Sequence, residues 1–301
     1  MISVVQLGQV DYATGLRLQQ KLLELRKAGQ IGDVLLLLEH TPVITLGRNA
    51  KAANVLASPE ELARRGVELF ECDRGGDVTF HGPGQLVGYP ILDLRGFGGG
   101  SQPSAVSRQE NPESDAASWL SRHGTLGAVD YVRRLEEALI RTCADFRIPA
   151  KRIAGLTGVW TDRVETGAPA RPSGAQLRSE PGNDASSSPA AKIAAIGVHI
   201  SRSVTSHGFA LNVNTDLTYF DLIVPCGIET KPVTSMQREL GREIDLHDVA
   251  ESVSRNFGSV FGRQMRWVDT LDSLLGNTVG IPMRAPDQLR RLHSEDDVFL
   301  A

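Results

Sequence analysis

KIAAIGVHISRSVTSHGFALNV, residues 192–213, decides the fold class of this chain. Lys192–Ile200 and Val204–Val213 are two runs rich in Ile, Val, Ala and Phe, split by Ser201, Arg202 and Ser203, and they predict a pair of strands joined by a short turn. Working outward, Val34–Leu38 and Val43–Leu46 are short apolar runs separated by Glu39, His40, Thr41 and Pro42, which predicts two more strands with a turn between them. Helices are announced differently. Ala13–Lys27 is rich in Leu, Gln, Lys and Arg, carries Leu16, Leu22, Leu23 and Leu25, and should stop near Gly29. Ser58, Pro59 and Glu61 occupy N-cap, first-turn and capping-box positions of a short helix that Gly66 ends. Val129, Val132, Leu135, Leu139, Cys143 and Phe146 recur at three- and four-residue intervals and predict one buried helix face. Leu246, Val249, Val253, Phe257 and Val260 do the same behind an Asp245 cap. Strands and helices come in clusters without a regular strand-helix repeat, so the expected fold is α+β, a mixed β-sheet flanked by helices.

Composition narrows the function classes. A chain of 301 residues with formal net charge −4 and 23% charged residues is not built as a general nucleic-acid binder. The first ten residues lack a basic segment followed by an apolar one, and Val34–Leu38 is too short to cross a bilayer, so a cytoplasmic protein without a membrane partner is expected. Cys72, Cys143 and Cys226 are odd in number, far apart and without a Cys-x-x-Cys pair, which predicts free thiols and no metal site. Residues 97–127 and 162–191 are too poor in apolar side chains to offset ordering entropy and read as disordered insertions. Residues 262–301 read as a peripheral extension, and a monomer is the default.

Three stretches could carry chemistry. RGGDVTFHGPGQ, residues 74–85, packs four glycines and a proline into twelve residues, so main-chain N–H groups can face a ligand's carbonyl or oxyanion. A glycine-rich connector is the plain alternative, and the stretch has neither P-loop nor dinucleotide spacing. Cys226 sits between Pro225 and Gly227 at the end of an apolar run, a thiol on a constrained turn, although a lone cysteine usually packs as a small hydrophobe. Cys72 ends an apolar strand and Cys143 falls on the helix stripe, so both are weaker candidates. Lys192 opens its strand, where a lysine ordinarily blunts an edge. His199 and His207 read as hydrogen-bonded histidines, because no further ligands stand at metal-site spacing.

RGGDVTFHGPGQLVGYPILDL, KIAAIGVHI, SHGFALNVNTDL and IVPCGI, in this order, resemble the lipoyl(octanoyl) transferase family, octanoyl-[acyl-carrier-protein]:protein N-octanoyltransferases. The likeness runs from the first helix to about residue 261 and leaves the two insertions unmatched. It implies a single catalytic domain over 1–261 with the fold of lipoate and biotin protein ligases. It further implies transfer of octanoyl from acyl-carrier protein to a lysine of lipoyl domains in 2-oxoacid dehydrogenase complexes and the glycine cleavage H protein, with no cofactor. Residue by residue it makes Cys226 the thioester-forming nucleophile and Lys192 its activating base. Substrate contacts fall to Arg74, Gly75, Gly76, Asp77, Val78, Thr79, Phe80 and His81, to Ala195, Ile196 and Gly197, and to Gly208, Phe209 and Ala210.

The chemistry agrees with these residue types. A free thiol with a pKa near ~8.5 needs a base or cation beside it to act at neutral pH. Lys192 either takes the thiol proton or sits charged beside the thiolate, and both states stay open. The insertion that ends at Lys192 is expected to form a hairpin tip or lid, and Arg48, Lys51 and Arg74 a basic rim for the acidic carrier. The alternatives are an ATP-dependent lipoate or biotin ligase on the same fold, a cysteine hydrolase, and a non-catalytic acyl-binding module.

Overall fold

In the computed structural model the described residues are 1–97, 124–163, 188–225 and 232–271. Along the chain the elements are β1 (Ile2–Val10), α1 (Tyr12–Lys27), β2 (Asp33–His40), β3 (Val43–Leu46), α2 (Pro59–Arg64), β4 (Glu68–Glu71), β5 (Val78–His81), β6 (Gln85–Ile91), α3 (Ala128–Asp145), β7 (Ala150–Ile153), β8 (Leu156–Arg163), β9 (Ser188–Ser201), β10 (Val204–Asn212), α4 (Met236–Leu240), α5 (Leu246–Phe261) and β11 (Met265–Trp267). Eight strands form a mixed sheet in the order β11-β1-β2-β6-β10-β9-β8-β7, and β4-β3-β5 form a second, smaller sheet.

The hairpin expected at 192–213 lies near the middle of the large sheet, with Val204 opposite Ser201 and Leu211 opposite Ala194. Its turn is two residues long. Arg202 (φ 50°) and Ser203 (φ 66°) both adopt the left-handed conformation, as a two-residue hairpin turn with right-handed strand twist demands. Strand β9 begins ahead of Lys192, at Ser188, because β8 offers a partner ladder in which Arg163 faces Ser188 and Thr161 faces Ala191. The central part of the expected 162–191 insertion therefore connects two antiparallel strands, and residues 164–187 themselves lie outside the described residues. So do 98–123 of the first insertion and 272–301 of the extension. At the edges of the first insertion Phe97 and Leu126 are buried in the core.

The runs at 34–38 and 43–46 are strands but not a hairpin. β2 pairs with β1 and β6, while β3 pairs with β4 and β5 in the other sheet. Pro42, with φ held near −65° and no N–H, suits a crossing between sheets better than a tight hairpin turn. Val129 is the other correction. It is 71% exposed, and the buried face of α3 runs through Tyr131, Leu135, Ala138, Leu139 and Cys143. Six residues before Leu135, Val129 is rotated about 120° off that stripe. The expected caps form, with Ser58 accepting from Glu61 N (3.3 Å) and Asp245 from His247 N (2.8 Å), and Asp11 caps α1 as well by accepting from Thr14 N (2.9 Å).

Helices α3 and α5 cover one face of the large sheet through Leu35, Leu37, Leu211 and Phe257, and α1 covers part of the other through Leu18, Leu22, Val34 and Leu36. The smaller sheet has its own core, Ile44, Val78, Phe80 and Phe220. Among the described residues no helix is long and apolar enough to cross a membrane.

Candidate functional site

Alternation along four strands builds the site. On β10 Gly208 and Ala210, on β9 Ala195 and Gly197, on β6 Val87 and Tyr89, and on β5 Thr79 and His81 line one cavity of about 490 Å³, part of it open to solvent. The registers explain the grouping: Ala210 faces Ala195 on one side and Val87 on the other, and Gly208 faces Gly197. Ile196, Phe209, Arg74, Gly76 and Asp77 complete the sequence-predicted part of the lining. Val78 and Phe80 point the other way, into the core of the small sheet, as the two-residue period of β5 requires. Gly75 does not line the cavity; its N–H donates to Val198 O (3.0 Å).

The floor of the cavity is a cluster of histidines and tyrosines. His40 donates from Nδ1 to Val10 O (2.8 Å) and accepts at Nε2 from the Tyr89 hydroxyl (2.6 Å). Burial pushes its pKa down to about 4. His81 stacks on Tyr12 at a centroid distance of 6.4 Å and donates from Nδ1 to Gln85 Oε1 (2.7 Å). Gln85 Nε2 in turn donates to Phe80 O (3.2 Å) and Asn212 Oδ1 (2.8 Å), and Asn212 Nδ2 to Thr234 O (2.9 Å). This chain of carbonyl acceptors assigns the amide orientations and leaves His81 Nε2 an acceptor. Burial, with the charges of His40 and Arg74 adding to it, pushes the His81 pKa down to about 3.

His207, expected as a hydrogen-bonded histidine, lines the cavity in an unusual way. Its backbone is left-handed (φ 54°), and its N–H donates to Gln19 Oε1 (2.7 Å) on α1. Its Nε2 donates to Asp73 Oδ1 (2.7 Å), while His199 Nδ1 meets the other oxygen of Asp73. Partial burial works against the Asp73 charge, yet these contacts hold its carboxyl below the ordinary value. Burial outweighs Asp73 at His207 and lowers its pKa.

Arg74 overturns one expectation. It cannot belong to an exposed basic rim, since it is only 7% exposed and its Nη2 donates to Thr45 O (2.7 Å). Arg48 does reach the surface, with Nη2 3.5 Å from His199 Nε2.

Lys192 lies at one end of the site. A second, smaller cavity of about 290 Å³ is lined by Lys192, Gln85, Asn212, Phe220, Pro225 and Val233, and it shares Thr79, Ala195 and Ala210 with the first. Lys192 is 8% exposed, and its Nζ stands 4.8 Å from the centroid of the Trp160 ring, whose face attracts a cation. Gly158 makes room for it: at φ 118° a Cβ there would come within 2.6 Å of Ala194 O and 3.4 Å of Lys192 Cε. The Lys192 main chain donates to Pro232 O (2.8 Å) and accepts from Thr234 N (2.9 Å). Cys226 and residues 227–231 lie outside the described residues. Of the other cysteines, Cys72 donates to Leu46 O (3.3 Å), and burial pushes the Cys143 thiol up to about 12, so neither is set up as a nucleophile.

Residues 11–118 and 116–258 match the family model of the lipoyl protein ligase A/B catalytic domain. The chain is 54% identical over 300 residues to the octanoyltransferase of Koribacter versatilis, with 100% of both chains covered. It is 51% identical over 277 residues to that of Acidobacterium capsulatum, covering 91% of this chain and 96% of the relative. The chain belongs to the octanoyltransferase family. It is therefore an acyltransferase, and the cavity belongs to an enzyme that moves octanoyl groups. Alignment of the whole chain means that an octanoyltransferase relative shares the long segments which the sequence motifs left unmatched.

The fold of this octanoyltransferase is that of the lipoate protein ligases. A lipoate-protein ligase A bound with ATP superposes with a TM-score of 0.59 at 12% identity, covering 91% of each chain. A bipartite lipoate protein ligase from Thermoplasma acidophilum does so with 0.55 at 12% identity, covering 91% of this chain and 89% of the other. Tyr12, Tyr89, Gln85, Asn212 and Trp160 were not singled out from sequence. Gln85, Tyr89 and Asn212 stand inside the quoted motifs, but Tyr12 and Trp160 carry no local signal, since only packing brings Tyr12 to the cavity and Trp160 to the Lys192 ammonium.

Proposed function

We propose that the enzyme takes octanoyl from octanoyl-acyl-carrier protein onto Cys226 and passes it to a lysine of lipoyl domains, those of 2-oxoacid dehydrogenase complexes and the glycine cleavage H protein, as a monomer in the cytoplasm. The observation that carries the reading is the setting of Lys192. Pro225, the residue before Cys226, lines the same small cavity as Lys192, and Pro232 and Thr234, just after the 226–231 stretch, hydrogen-bond the Lys192 main chain. Both anchors of the segment that carries the thiol therefore stand beside the lysine.

In the first half-reaction Lys192 takes the Cys226 proton, the thiolate attacks the donor carbonyl, and the carrier's sulfur leaves as a thiol by taking that proton back from Lys192, which returns to the neutral amine. One thioester replaces another, so the step needs no ATP. In the second, the acceptor lysine's amine attacks the acyl-Cys226 carbonyl, an amide forms, and Cys226 leaves as thiolate while Lys192 takes a proton from the attacking nitrogen. Chain carbons occupy the adjoining large cavity, between Ala195, Val87 and Ala210. Arg74, Gly76, Asp77, Thr79, His81, Ile196, Gly197, Gly208 and Phe209 would contact the substrate there.

Intact-protein mass spectrometry after mixing with octanoyl-acyl-carrier protein without ATP tests the reading. One octanoyl adduct is expected on the wild type, none on Cys226→Ala, and slower formation on Lys192→Ala. Octanoyl transfer to a lipoyl domain by Cys226→Ala at the wild-type rate would refute it.

A further inference from the structure

Arg74 brings a positive charge to the large cavity and, among the described residues, forms no ion pair there, although Asp77 lines the same cavity. A guanidinium has five N–H donors. Nε donates to Thr45 Oγ1 (3.3 Å), Nη2 to Thr45 O (2.7 Å) and Oγ1 (2.9 Å), and Nη1 to Gly75 O (3.2 Å), all neutral acceptors. The acids on either side in sequence are engaged elsewhere. Asp73 holds His207 and His199, and Asp77 accepts from Lys51 N (3.3 Å), Asn54 Nδ2 (2.6 Å) and Val78 N (2.7 Å). Among the described residues, none of the ion pairs includes Arg74. The nearby histidines do not change the balance, because burial keeps His40, His81 and His207 neutral at pH 7.

Space has been left around the unpaired end of the guanidinium. Nη1 has a second N–H without an acceptor among the described residues, and three glycines cradle it: a Cβ on Gly47, Gly76 or Gly197 would stand 2.8, 3.4 or 3.5 Å from Nη1. A buried ion that meets only neutral partners retains much of its desolvation cost, and an anion in that space would offset it. Val87, Ile196, Phe209 and Ala210 give the cavity an apolar wall, beside the floor of Tyr12, His81, Tyr89 and His207. A ligand that satisfies both has one anionic head and a short aliphatic tail.

We propose that this cavity binds free medium-chain fatty acids, with the carboxylate on Arg74 and the tail on the apolar walls, as a dead-end complex that competes with octanoyl transfer. The competition rests on reading the cavity as the acyl site. The binding does not, nor does it depend on Cys226 or Lys192. An acyl thioester carrying a carboxylate at its far end offers Arg74 the same group, so both sources enter the test.

Calorimetric titration of the full chain with octanoate and octanamide, in the absence of any acyl donor, separates charge from shape. Octanoate should bind about tenfold tighter than octanamide or better, the range for a hydrogen bond to a charged group. Arg74→Gln should lose that advantage while keeping its affinity for octanamide, and Arg74→Lys should restore most of it. Octanoate should also raise KM for the octanoyl donor without lowering kcat. Equal affinities of the wild type for octanoate and octanamide would overturn the proposal, and this comparison needs no variant to fold. It would equally be overturned if 7-carboxyheptanoyl-pantetheine were transferred in an Arg74-dependent way while octanoate failed to compete, because the site would then read substrates and not free acids.

Discussion

Ala210→Val narrows the acyl cavity at its middle. Ala210 is buried on β10, faces Ala195 and Val87 in register, and lines both cavities, so it sits between the Lys192 end and the Gly197–Gly208 end. Valine adds two carbons there. A β-branched side chain suits a strand, and the two cavities that Ala210 lines give the added carbons room at the edge of the core under α1, so folding should survive. Two methylenes' worth of cavity is removed at about 0.8 kcal/mol each, or ~1.6 kcal/mol, which predicts a fall of roughly fifteenfold in the kcat/KM ratio of octanoyl over hexanoyl donors. The assay is a competition between the two acyl thioesters with a lipoyl-domain acceptor, read by mass spectrometry, with thermal melting as the control for folding. A ratio within twofold of wild type at an unchanged Tm would show that the chain does not pass between residues 195 and 210.

Gly158→Ala should cost several kcal/mol of stability, since a non-glycine residue at φ 118° is strained and its Cβ meets Ala194 O at 2.6 Å. Because the same Cβ touches Lys192 Cε, activity should fall further than stability explains, and urea melts run beside single-turnover acylation would separate the two. Stability should also decline as pH falls below neutral. His40 and His81 have folded pKa values of about 4 and about 3, below the unfolded 6.5, so the unfolded chain gains protons first. Their contribution is complete above pH 6.5 and is lost as pH falls from 6.5 to about 4 for His40 and to about 3 for His81, at up to ~1.4 kcal/mol per pH unit for each histidine. Urea midpoints at pH 7 and pH 5 that coincide would contradict the buried neutral assignment.

Local pattern was enough for much of the architecture. The β9–β10 hairpin follows from two apolar runs and a polar break, α2 from Ser58, Pro59 and Gly66, and α5 from a strict three-four apolar spacing, because each of these depends on neighbours a few residues away. The motif residues of the site were legible for the same reason: glycine-rich turns and strand faces carry their own signal. Pairing was not. Val34–Leu38 and Val43–Leu46 look like partners, and only the ladders available from β6 and β5 send them to different sheets. Val129 has the right residue type, but its rotation on α3 turns it to solvent.

Which segments are strands and helices, and which residue types gather in the motifs, was legible from local pattern, since hydrophobic period, caps and turn residues act over short distances. Tertiary structure alone decided that Tyr12 shares a cavity with those motifs and that the Trp160 ring faces the Lys192 ammonium. It also decided that Arg74 turns inward and that Lys192 is clasped by Pro232 and Thr234. These outcomes depend on burial and on partners far apart in the chain, and the energy of a charged or polar side chain is set by those surroundings.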